Sequence, residues 1–280
     1  MATHDFVAVA VDDDHAWYAD VARSLVRPSD LLAADIGCGA AEMTIALNSV
    51  LPRCAFVVGV DRDGETLDAA RRHMVESGID DGHIRLLCAD LDTELTLLPA
   101  VVRGADIVWA SASIHHLADQ QAVLDVLATI LRPGGRLALA EDGLPARHLP
   151  WDLGVGEPGL EARLLAAEER WFARMRAGLP HAVRMPYGWT IALQRAGLTG
   201  ITSRAFTFDK PAPLPGADLS SVVEQLEQRV RRARADAGLS LDDARSWSRL
   251  LDPDGPAWLG RRDDIYSLRA RTIHTGVRSE

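Results

Sequence analysis

Short apolar segments alternate with amphipathic helical patterns over the first half of the chain, and this alternation restricts the fold more than any other feature. Helical patterns at residues 40–50, 63–78 and 119–130 separate the apolar segments, and Asp63 and Asp119 stand at N-cap positions. Buried strands separated by helices predict a parallel sheet covered on both faces, which right-handed crossovers make doubly wound. The predicted strands lie at residues 31–36, 55–60, 84–88, 107–110 and 136–140.

The second half of the chain departs from this alternation. After a loop rich in Pro and Gly, an amphipathic helix is predicted at 160–175, a core-like helix at 186–197 and a further helix at 219–233. Strand patterns at 201–208 and 265–275 complete an α/β fold whose mostly parallel, doubly wound sheet has seven strands. We predict an N-terminal helical lid (1–30), a core (31–142), a helical insertion (143–185), a core helix and strand (186–212), a second helical insertion (213–260) and a last core strand (261–280). The two insertions are expected to form a helical cap.

Charged residues exclude several function classes. Of the 30 basic residues, Lys210 is the one lysine, and it lies beside a proline-rich segment that suits neither a P-loop nor a Schiff base. The net charge of −10 and the pI near 5.4 argue against nucleic-acid binding, which needs a cationic face. The run of arginines at 229–234 is flanked by acidic residues and predicts a solvated helix face.

The cysteines and the N-terminus indicate a compartment. Cys38, Cys54 and Cys88 have no metal-ligand spacing, so we expect reduced thiols in a cytoplasmic protein. The first residues lack the pattern of a signal peptide, and no apolar run is long enough to span a membrane. Residues 12–15 (D-D-D-H) are interpreted as a solvated helix start rather than a metal site.

A glycine turn follows the first predicted strand, where doubly wound sheets bind their ligands. The segment 35–42 (D-I-G-C-G-A-A-E) lets the backbone approach a ligand closely. A dinucleotide fingerprint would place its third glycine at Glu42, and a glutamate is a poor neighbour for a pyrophosphate. The carboxylate of Asp35 would instead suit an ammonium group.

Five segments follow one another in this part of the chain: 35–41 (D-I-G-C-G-A-A), 59–62 (G-V-D-R), 88–91 (C-A-D-L), 106–111 with 114–117, and 131–137 (L-R-P-G-G-R-L). Together they resemble the motifs of the class I S-adenosylmethionine-dependent methyltransferases of small-molecule type, and the resemblance covers at least residues 31–142. Ala41 stands where the family often has a third glycine, and alanine is a small replacement. The resemblance implies a Rossmann-like core, S-adenosylmethionine as the cofactor and a small-molecule acceptor used in biosynthesis.

The resemblance also implies site residues. Asp61 would accept hydrogen bonds from the ribose hydroxyls and Asp90 would receive the adenine amino group, although Asp90 could serve only as a turn residue. Asp35 would contact the cofactor directly or through water, or else fix the glycine loop. Tyr18 would close over the cofactor or pack as a core residue. The implied cofactor contacts are Tyr18, Asp35, Gly37, Cys38, Gly39, Asp61, Arg62, Asp90, Leu91, Ala110 and Ser111.

Two histidines follow the fourth predicted strand, beside the expected position of the methyl group. Either His115 or His116 could accept the proton of the acceptor, since an imidazole titrates near neutral pH. We prefer His115 as the histidine that faces the acceptor, and the alternative is that one lines the cofactor pocket while the other packs under a loop. No metal is expected.

Candidate acceptor contacts come from the end of strand five and the cap. Glu141 and Asp142 follow that strand, where one could touch the substrate or cap a loop. Trp151 and Tyr187 could line an apolar pocket. The predicted substrate contacts are Asp142, Trp151 and Tyr187.

The predicted reaction is in-line methyl transfer to oxygen, nitrogen or carbon of a small, partly apolar or aromatic acceptor. One alternative uses the cofactor as a charge for a cyclisation or elimination, and others are a nicotinamide-dependent dehydrogenase and a non-catalytic partner protein. We expect a small-molecule substrate, no nucleic acid and no membrane partner, and the last helices could supply the surface of a homodimer.

Overall fold

The computed structural model describes residues 15–79, 81–236 and 238–280, so the acidic run at 12–14 lies outside the described residues. The strands are β1 (Leu32–Ile36), β2 (Phe56–Asp61), β3 (Ile84–Cys88), β4 (Ala105–Ser111), β5 (Leu131–Arg147), β6 (Leu198–Lys210) and β7 (Ser267–Arg278). The helices are α1 (His15–Leu25), α2 (Glu42–Val50), α3 (Gly64–Glu76), α4 (Leu98–Val102), α5 (Gln120–Ile130), α6 (Leu160–Ala177), α7 (Trp189–Arg195), α8 (Gly216–Ala235) and α9 (Leu241–Leu250).

The strands form a sheet in the order β3-β2-β1-β4-β5-β7-β6. The pairs β1–β2, β1–β4, β2–β3 and β4–β5 are parallel. The strand order reverses between β1 and β4, so the carboxyl ends of these two strands form the switch point where such sheets bind ligands. The predicted doubly wound, mostly parallel seven-stranded sheet is confirmed.

Local signals place the core elements. Six of the seven residues of β4 are buried, as expected for a central strand covered on both faces. The predicted caps are confirmed, because the Asp63 carboxylate accepts from Glu65 N–H and the Asp119 carboxylate accepts from Ala122 N–H. These caps fix the residues at which α3 and α5 begin.

Strand five is longer than predicted. The sequence pattern limits it to 136–140 because Pro133, Gly134 and Gly135 indicate a turn, yet the chain remains in β5 from Leu131. Gly134 has a φ of 75°, and the β4–β5 register shifts between Ala105 and Ile107. The Pro-Gly-Gly segment is therefore accommodated as an irregularity inside the strand. Gly134 tolerates the left-handed backbone, and Gly135 lies so close to β4 that a Cβ atom on it would be 2.8 Å from Ala105 O.

The chain divides into two compact units. The first comprises residues up to Asp142, His181–Arg204 and Thr272–Glu280, and the second comprises Gly143–Pro180 and Ala205–Arg271. The second unit takes in more of the chain than the predicted insertions at 143–185 and 213–260, because β5, β6 and β7 each contribute residues to both units. The second unit therefore contains strand segments as well as helices.

The second unit has its own apolar core, built from α6, α8, α9 and the loops beside them. Leu164 of α6, Leu226 of α8 and Trp247 of α9 are fully buried in it. The predicted solvated face of the arginine run is wrong for Arg229, whose side chain is only 13% exposed and pairs with Glu168. An amphipathic pattern cannot reveal a salt bridge that joins α8 to a helix 61 residues earlier.

Trp247 anchors this second core. Substituting Trp247→Ala is expected to lower the free energy of unfolding by about 3–5 kcal/mol, because it removes a large side chain that is 0% exposed and leaves a cavity. The Trp151→Ala substitution in the same unit, at a side chain 71% exposed, should cost under about 1 kcal/mol. Urea unfolding followed by circular dichroism measures both, and equal losses would contradict the assignment of this core.

Candidate active site

The glycine loop between β1 and α2 is held against the end of β2. Gly37 N–H and Cys38 N–H both donate to Val60 O, at 2.7 and 3.0 Å. Gly37, Gly39 and Ala41 have φ values of 70°, 52° and 67°. Three left-handed residues within five positions turn the chain sharply, and glycine permits this at the first two. The loop therefore exposes backbone at the switch point and leads into the first turn of α2.

Asp61 ends β2 and fastens this loop. Its Oδ2 accepts from Gly39 N–H at 3.0 Å, and its Oδ1 accepts from Asp63 N–H at 3.1 Å. Each carboxylate oxygen can accept a second hydrogen bond, and the side chain is half-buried rather than sealed. The carboxylate is thus oriented by the loop and can still accept from a ligand hydroxyl.

Asp35 is buried at the end of β1. Thr44 Oγ1 of α2 donates to its Oδ2 at 2.7 Å. Burial raises the pKa of the Asp35 carboxyl to about 7 and the neighbouring charge of Asp61 adds to this, although hydrogen bonds from Thr44 oppose it. Two carboxylates at one loop repel each other, so a cationic group bound here would relieve the repulsion.

Several predicted contacts place their side chains in the core or in solvent. Cys38, Leu91 and Ala110 are buried, and burial raises the pKa of the Cys38 thiol with help from the charges of Asp35 and Asp61. The side chain of Arg62 is exposed. A ligand contact at any of these positions stays a prediction.

Asp90 follows β3 and forms a local turn. Its Oδ1 accepts from Asp92 N–H at 3.0 Å, and its own N–H donates to Glu94 Oε2 at 2.9 Å. This is the turn role that the sequence left open. The side chain is half-buried, so an adenine contact stays a prediction.

A buried carboxylate organises the turn that carries the two histidines. This 3-10 turn spans Ile114–His116, directly after β4. Glu141 Oε1 accepts from Ser113 N–H at 3.1 Å and from Ile114 N–H at 2.8 Å. Glu141 Oε2 lies 2.5 Å from His115 Nδ1, and the Glu141 side chain is 0% exposed. Of the two roles considered for this strand end, Glu141 takes the loop-capping one.

The Glu141 contact orients the ring of His115. With the Nδ1 proton directed at the carboxylate, Nε2 carries the lone pair that can accept a proton. The His115 side chain is 27% exposed, and its ring centroid lies 4.1 Å from that of His116. In the sequence, the feature that points to Glu141 is an acidic residue directly after predicted strand five. In the structure it lies one position past the last β4–β5 pair, Ser111–Ala140. Ser111 itself is half-buried at that strand end.

Two further predicted residues are Tyr18 and Asp142. Tyr18 is half-buried on α1, 4.8 Å ring to ring from Trp17, which itself lies 5.9 Å from Trp109. This is the packing alternative for Tyr18, and a lid role stays a prediction. The side chain of Asp142 lies outside the described part of the structure.

The two aromatic acceptor contacts belong to different units. The Tyr187 side chain is fixed by two contacts. Its hydroxyl donates to Gln121 Oε1 at 3.1 Å, and the Arg195 guanidinium stacks 4.0 Å from its ring centroid. It packs against the first unit's core. Trp151 is exposed in the second unit. A substrate role for either residue stays a prediction.

The described residues show no group of three or more His, Cys, Asp or Glu side chains arranged to hold a metal ion. Within the same residues, none of the helices combines the length and the hydrophobicity needed to cross a lipid bilayer.

Comparisons with curated proteins and a family model match part of the chain. Residues 34–139 match the family model described as Methyltransferase domain. The chain is 31% identical over 116 residues to 27-O-demethylrifamycin SV methyltransferase of Amycolatopsis mediterranei, covering 41% of this chain and 40% of that protein. It is 30% identical over 106 residues to the ubiquinone biosynthesis O-methyltransferase of Aeromonas salmonicida, covering 38% and 41%. The chain thus matches about two fifths of the length of these curated relatives.

A solved structure extends the likeness in fold. The YcgJ protein from Bacillus subtilis superposes with a TM-score of 0.54 at 18% identity, over 95% of this chain and 99% of that one. Sheet order, glycine loop and family match together define a class I methyltransferase fold. The segment 34–139 matches a methyltransferase domain, and the resemblance seen in its motifs is confirmed.

Proposed function

We propose that this chain is an S-adenosylmethionine-dependent methyltransferase that methylates an oxygen of a small, partly apolar or aromatic acceptor. The observation that carries the proposal is the His115–Glu141 pair, which follows β4 at the same sheet edge as the glycine loop. Oxygen is proposed because one relative is named an O-methyltransferase and the other is named as the methyltransferase of a 27-O-demethyl compound. Nitrogen and carbon acceptors are the other outcomes of a screen.

The residues at the loop suit a cationic nucleoside. The Asp61 carboxylate would accept from the ribose hydroxyls, Asp90 would meet the adenine amino group, and Asp35 would face the ammonium end, directly or through water. The mutual repulsion of Asp35 and Asp61 supports a positively charged ligand. A dinucleotide fits poorly, because Glu42 stands buried in the first turn of α2, where a pyrophosphate would need a helix N-terminus without negative charge.

In the proposed mechanism the chain aligns the reactants and moves one proton. When bound, S-adenosylmethionine supplies an activated methyl group. His115 Nε2 would accept the proton of the acceptor hydroxyl as the new bond to the methyl carbon forms, and Glu141 would stabilise the resulting imidazolium. The backbone of the glycine loop and the carboxylates of Asp35 and Asp61 would hold the donor in place. Orientation and exclusion of water supply most of the remaining rate enhancement.

Calorimetric titration with S-adenosylhomocysteine and with NADH tests the choice of cofactor. We expect saturable binding of S-adenosylhomocysteine and a much weaker response to NADH. Preferential binding of NADH would support the dehydrogenase alternative and overturn the proposal. The Asp61→Ala variant is a control, because it should weaken S-adenosylhomocysteine binding specifically.

Product analysis separates methyl transfer from the use of the cofactor as a charge. Methyl transfer releases one S-adenosylhomocysteine for each methylated product. A cyclisation or elimination that uses the sulfonium only electrostatically would convert the acceptor and leave the cofactor unchanged.

The His115→Ala substitution should lower turnover by about 100-fold or more, since general base catalysis contributes that much. The dissociation constant for S-adenosylhomocysteine should change by less than about threefold, because the lost group serves the acceptor and not the donor. The His116→Ala variant is the matched control and should retain more activity, because His115 is the histidine that Glu141 orients. Unchanged turnover in His115→Ala would remove His115 from the mechanism.

We further propose a cytoplasmic location, since Cys38, Cys54 and Cys88 are all free thiols. A homodimer is proposed as the assembly, and sedimentation analysis tests it.

A further inference from the structure

Ser113 lies where the turn that carries His115 meets the glycine loop. Its hydroxyl donates to Ile36 O at 3.0 Å, and Ile36 ends β1 directly before Gly37. The register of β1 and β4 ends with the pair Ile36–Ala110. The Ser113 hydroxyl therefore adds one link beyond the ladder, between the two segments that leave the sheet at the switch point.

Gly37 fits closely against Ser113. A Cβ atom placed on Gly37 would lie 2.4 Å from Ser113 Cβ and 2.9 Å from Ser113 Oγ. Gly37 also has a φ of 70°, which disfavours any side chain. The first glycine of the loop is thus required partly by Ser113, and the loop and the turn are packed against each other at this point.

The hydroxyl of Ser113 is not used for local helix capping. Ser113 occupies the N-cap position of the turn, where a serine oxygen usually accepts from a backbone N–H two or three residues on. Within the described residues, no such capping hydrogen bond is present. The side chain instead reaches across to β1, so its contact joins two separate segments rather than stabilising its own turn.

Ser113 is fixed from the other side as well. Its N–H donates to Glu141 Oε1 at 3.1 Å, in the same carboxylate that holds His115. Ala112, just before it, has a left-handed φ of 48°. Ser113 therefore contacts the glycine loop through its side chain and the His115 anchor through its backbone.

We propose that Ser113 is a positioning residue that couples the glycine loop to the His115 turn, so that a ligand bound at the loop orders the turn. The inference rests on the proposed function, because it requires an S-adenosyl ligand at the loop. In this role Ser113 sets the distance between the methyl donor and the base His115, and it does not bind the donor itself.

Hydrogen–deuterium exchange with S-adenosylhomocysteine as the probe tests this coupling. In the wild type, the ligand should slow amide exchange both in peptides covering 37–41 and in peptides covering 112–118. In Ser113→Ala, protection of 37–41 should persist and the dissociation constant should stay within about threefold. The ligand-induced protection of 112–118 should fall by at least about fivefold. The Ser49→Ala variant is the matched control, because Ser49 Oγ also donates to a backbone carbonyl, Ala46 O at 2.7 Å on α2, and should behave as wild type.

A second pair of variants keeps the test decisive if Ser113→Ala folds poorly. Ser113→Thr and Ser113→Val have nearly the same shape and differ in one hydroxyl, so only the threonine variant should retain the coupled protection. Equal protection of 112–118 in both variants, or in Ser113→Ala and wild type, would overturn the inference alone. Loss of ligand binding in Ser113→Ala would also overturn it, by making Ser113 a binding residue. Absence of S-adenosylhomocysteine binding in the wild type would overturn the proposed function together with the inference.

Discussion

Substituting Glu141→Ala is expected to reduce turnover by about 100-fold or more and to lower the free energy of unfolding by about 2–4 kcal/mol. The substitution removes one fully buried carboxylate that accepts from Ser113 N–H and Ile114 N–H and contacts His115 Nδ1. Buried donors without an acceptor are costly, and the turn would lose the group that fixes its position. Urea unfolding and turnover with the identified acceptor measure the two effects.

Glu141→Gln separates the structural role of this carboxylate from its role toward His115. The amide keeps one oxygen for the two backbone N–H groups, so the stability should stay within about 1.5 kcal/mol of wild type. Its other end would present an NH2 group to His115 Nδ1, which favours the wrong tautomer, and turnover should still fall about 100-fold. Wild-type turnover in Glu141→Gln would contradict the proposed His115–Glu141 pair.

Asp35→Asn is expected to stabilise the protein at pH 8. The folded-state pKa of Asp35 is about 7, against an ordinary value of 3.8, chiefly because the carboxyl is buried. The stability that the protonated group contributes is present in full below about pH 4 and is lost progressively up to about pH 7. The whole shift corresponds to about 4 kcal/mol, so from pH 5 to pH 8 the wild type should lose about 2–3 kcal/mol relative to Asp35→Asn. Unfolding curves at these pH values test the difference.

The Asp106→Asn variant is the matched control of opposite sign. Burial alone would raise the pKa of Asp106, but hydrogen bonds from Leu31 N–H, Arg132 and Leu32 N–H, with the charge of Arg132, outweigh it and lower the pKa. A lowered pKa contributes stability that is lost only in acid, so Asp106→Asn should destabilise the protein by a constant amount from pH 5 to pH 8. Parallel curves for wild type and Asp35→Asn would contradict the raised pKa of Asp35.

The same titration should govern ligand binding. If a cationic group binds beside Asp35, S-adenosylhomocysteine should bind about five- to tenfold more tightly at pH 8 than at pH 6 in the wild type. Asp35→Asn should bind more weakly at pH 8 and show little of this pH dependence. Calorimetry at both pH values provides the comparison.

Local sequence signals predicted the part of the fold that local chemistry determines. β3 has the predicted bounds, and Asp63 and Asp119 cap the predicted helices, because an apolar segment or a cap depends on neighbours in sequence. The Pro-Gly-Gly segment at 133–135 predicts a turn but lies within β5, and only its pairing with the neighbouring strand reveals this irregularity. Its proline and glycines do bend the backbone, but they do so within an irregular part of β5.

For the candidate site, the sequence predicted where the residues lie but not how they contact each other. The motif order placed Asp35, Asp61 and His115 at one edge of the sheet, because the carboxyl ends of parallel strands meet there. The contact from Glu141 to His115 joins residues 26 apart, and the Ser113 link to Ile36 joins residues 77 apart. No periodicity encodes such contacts, so they required the three-dimensional structure.

Transfer of an isotopically labelled methyl group from S-adenosylmethionine tests the central claim most directly. The wild-type protein would be incubated with the labelled donor and a panel of small hydroxylated aromatic and apolar compounds, with mass detection of every product. The account predicts one labelled methyl group on an acceptor oxygen for each S-adenosylhomocysteine released, with at least about a 100-fold lower rate in His115→Ala. Conversion of an acceptor with no S-adenosylhomocysteine formed, while the labelled donor stays intact, would contradict it.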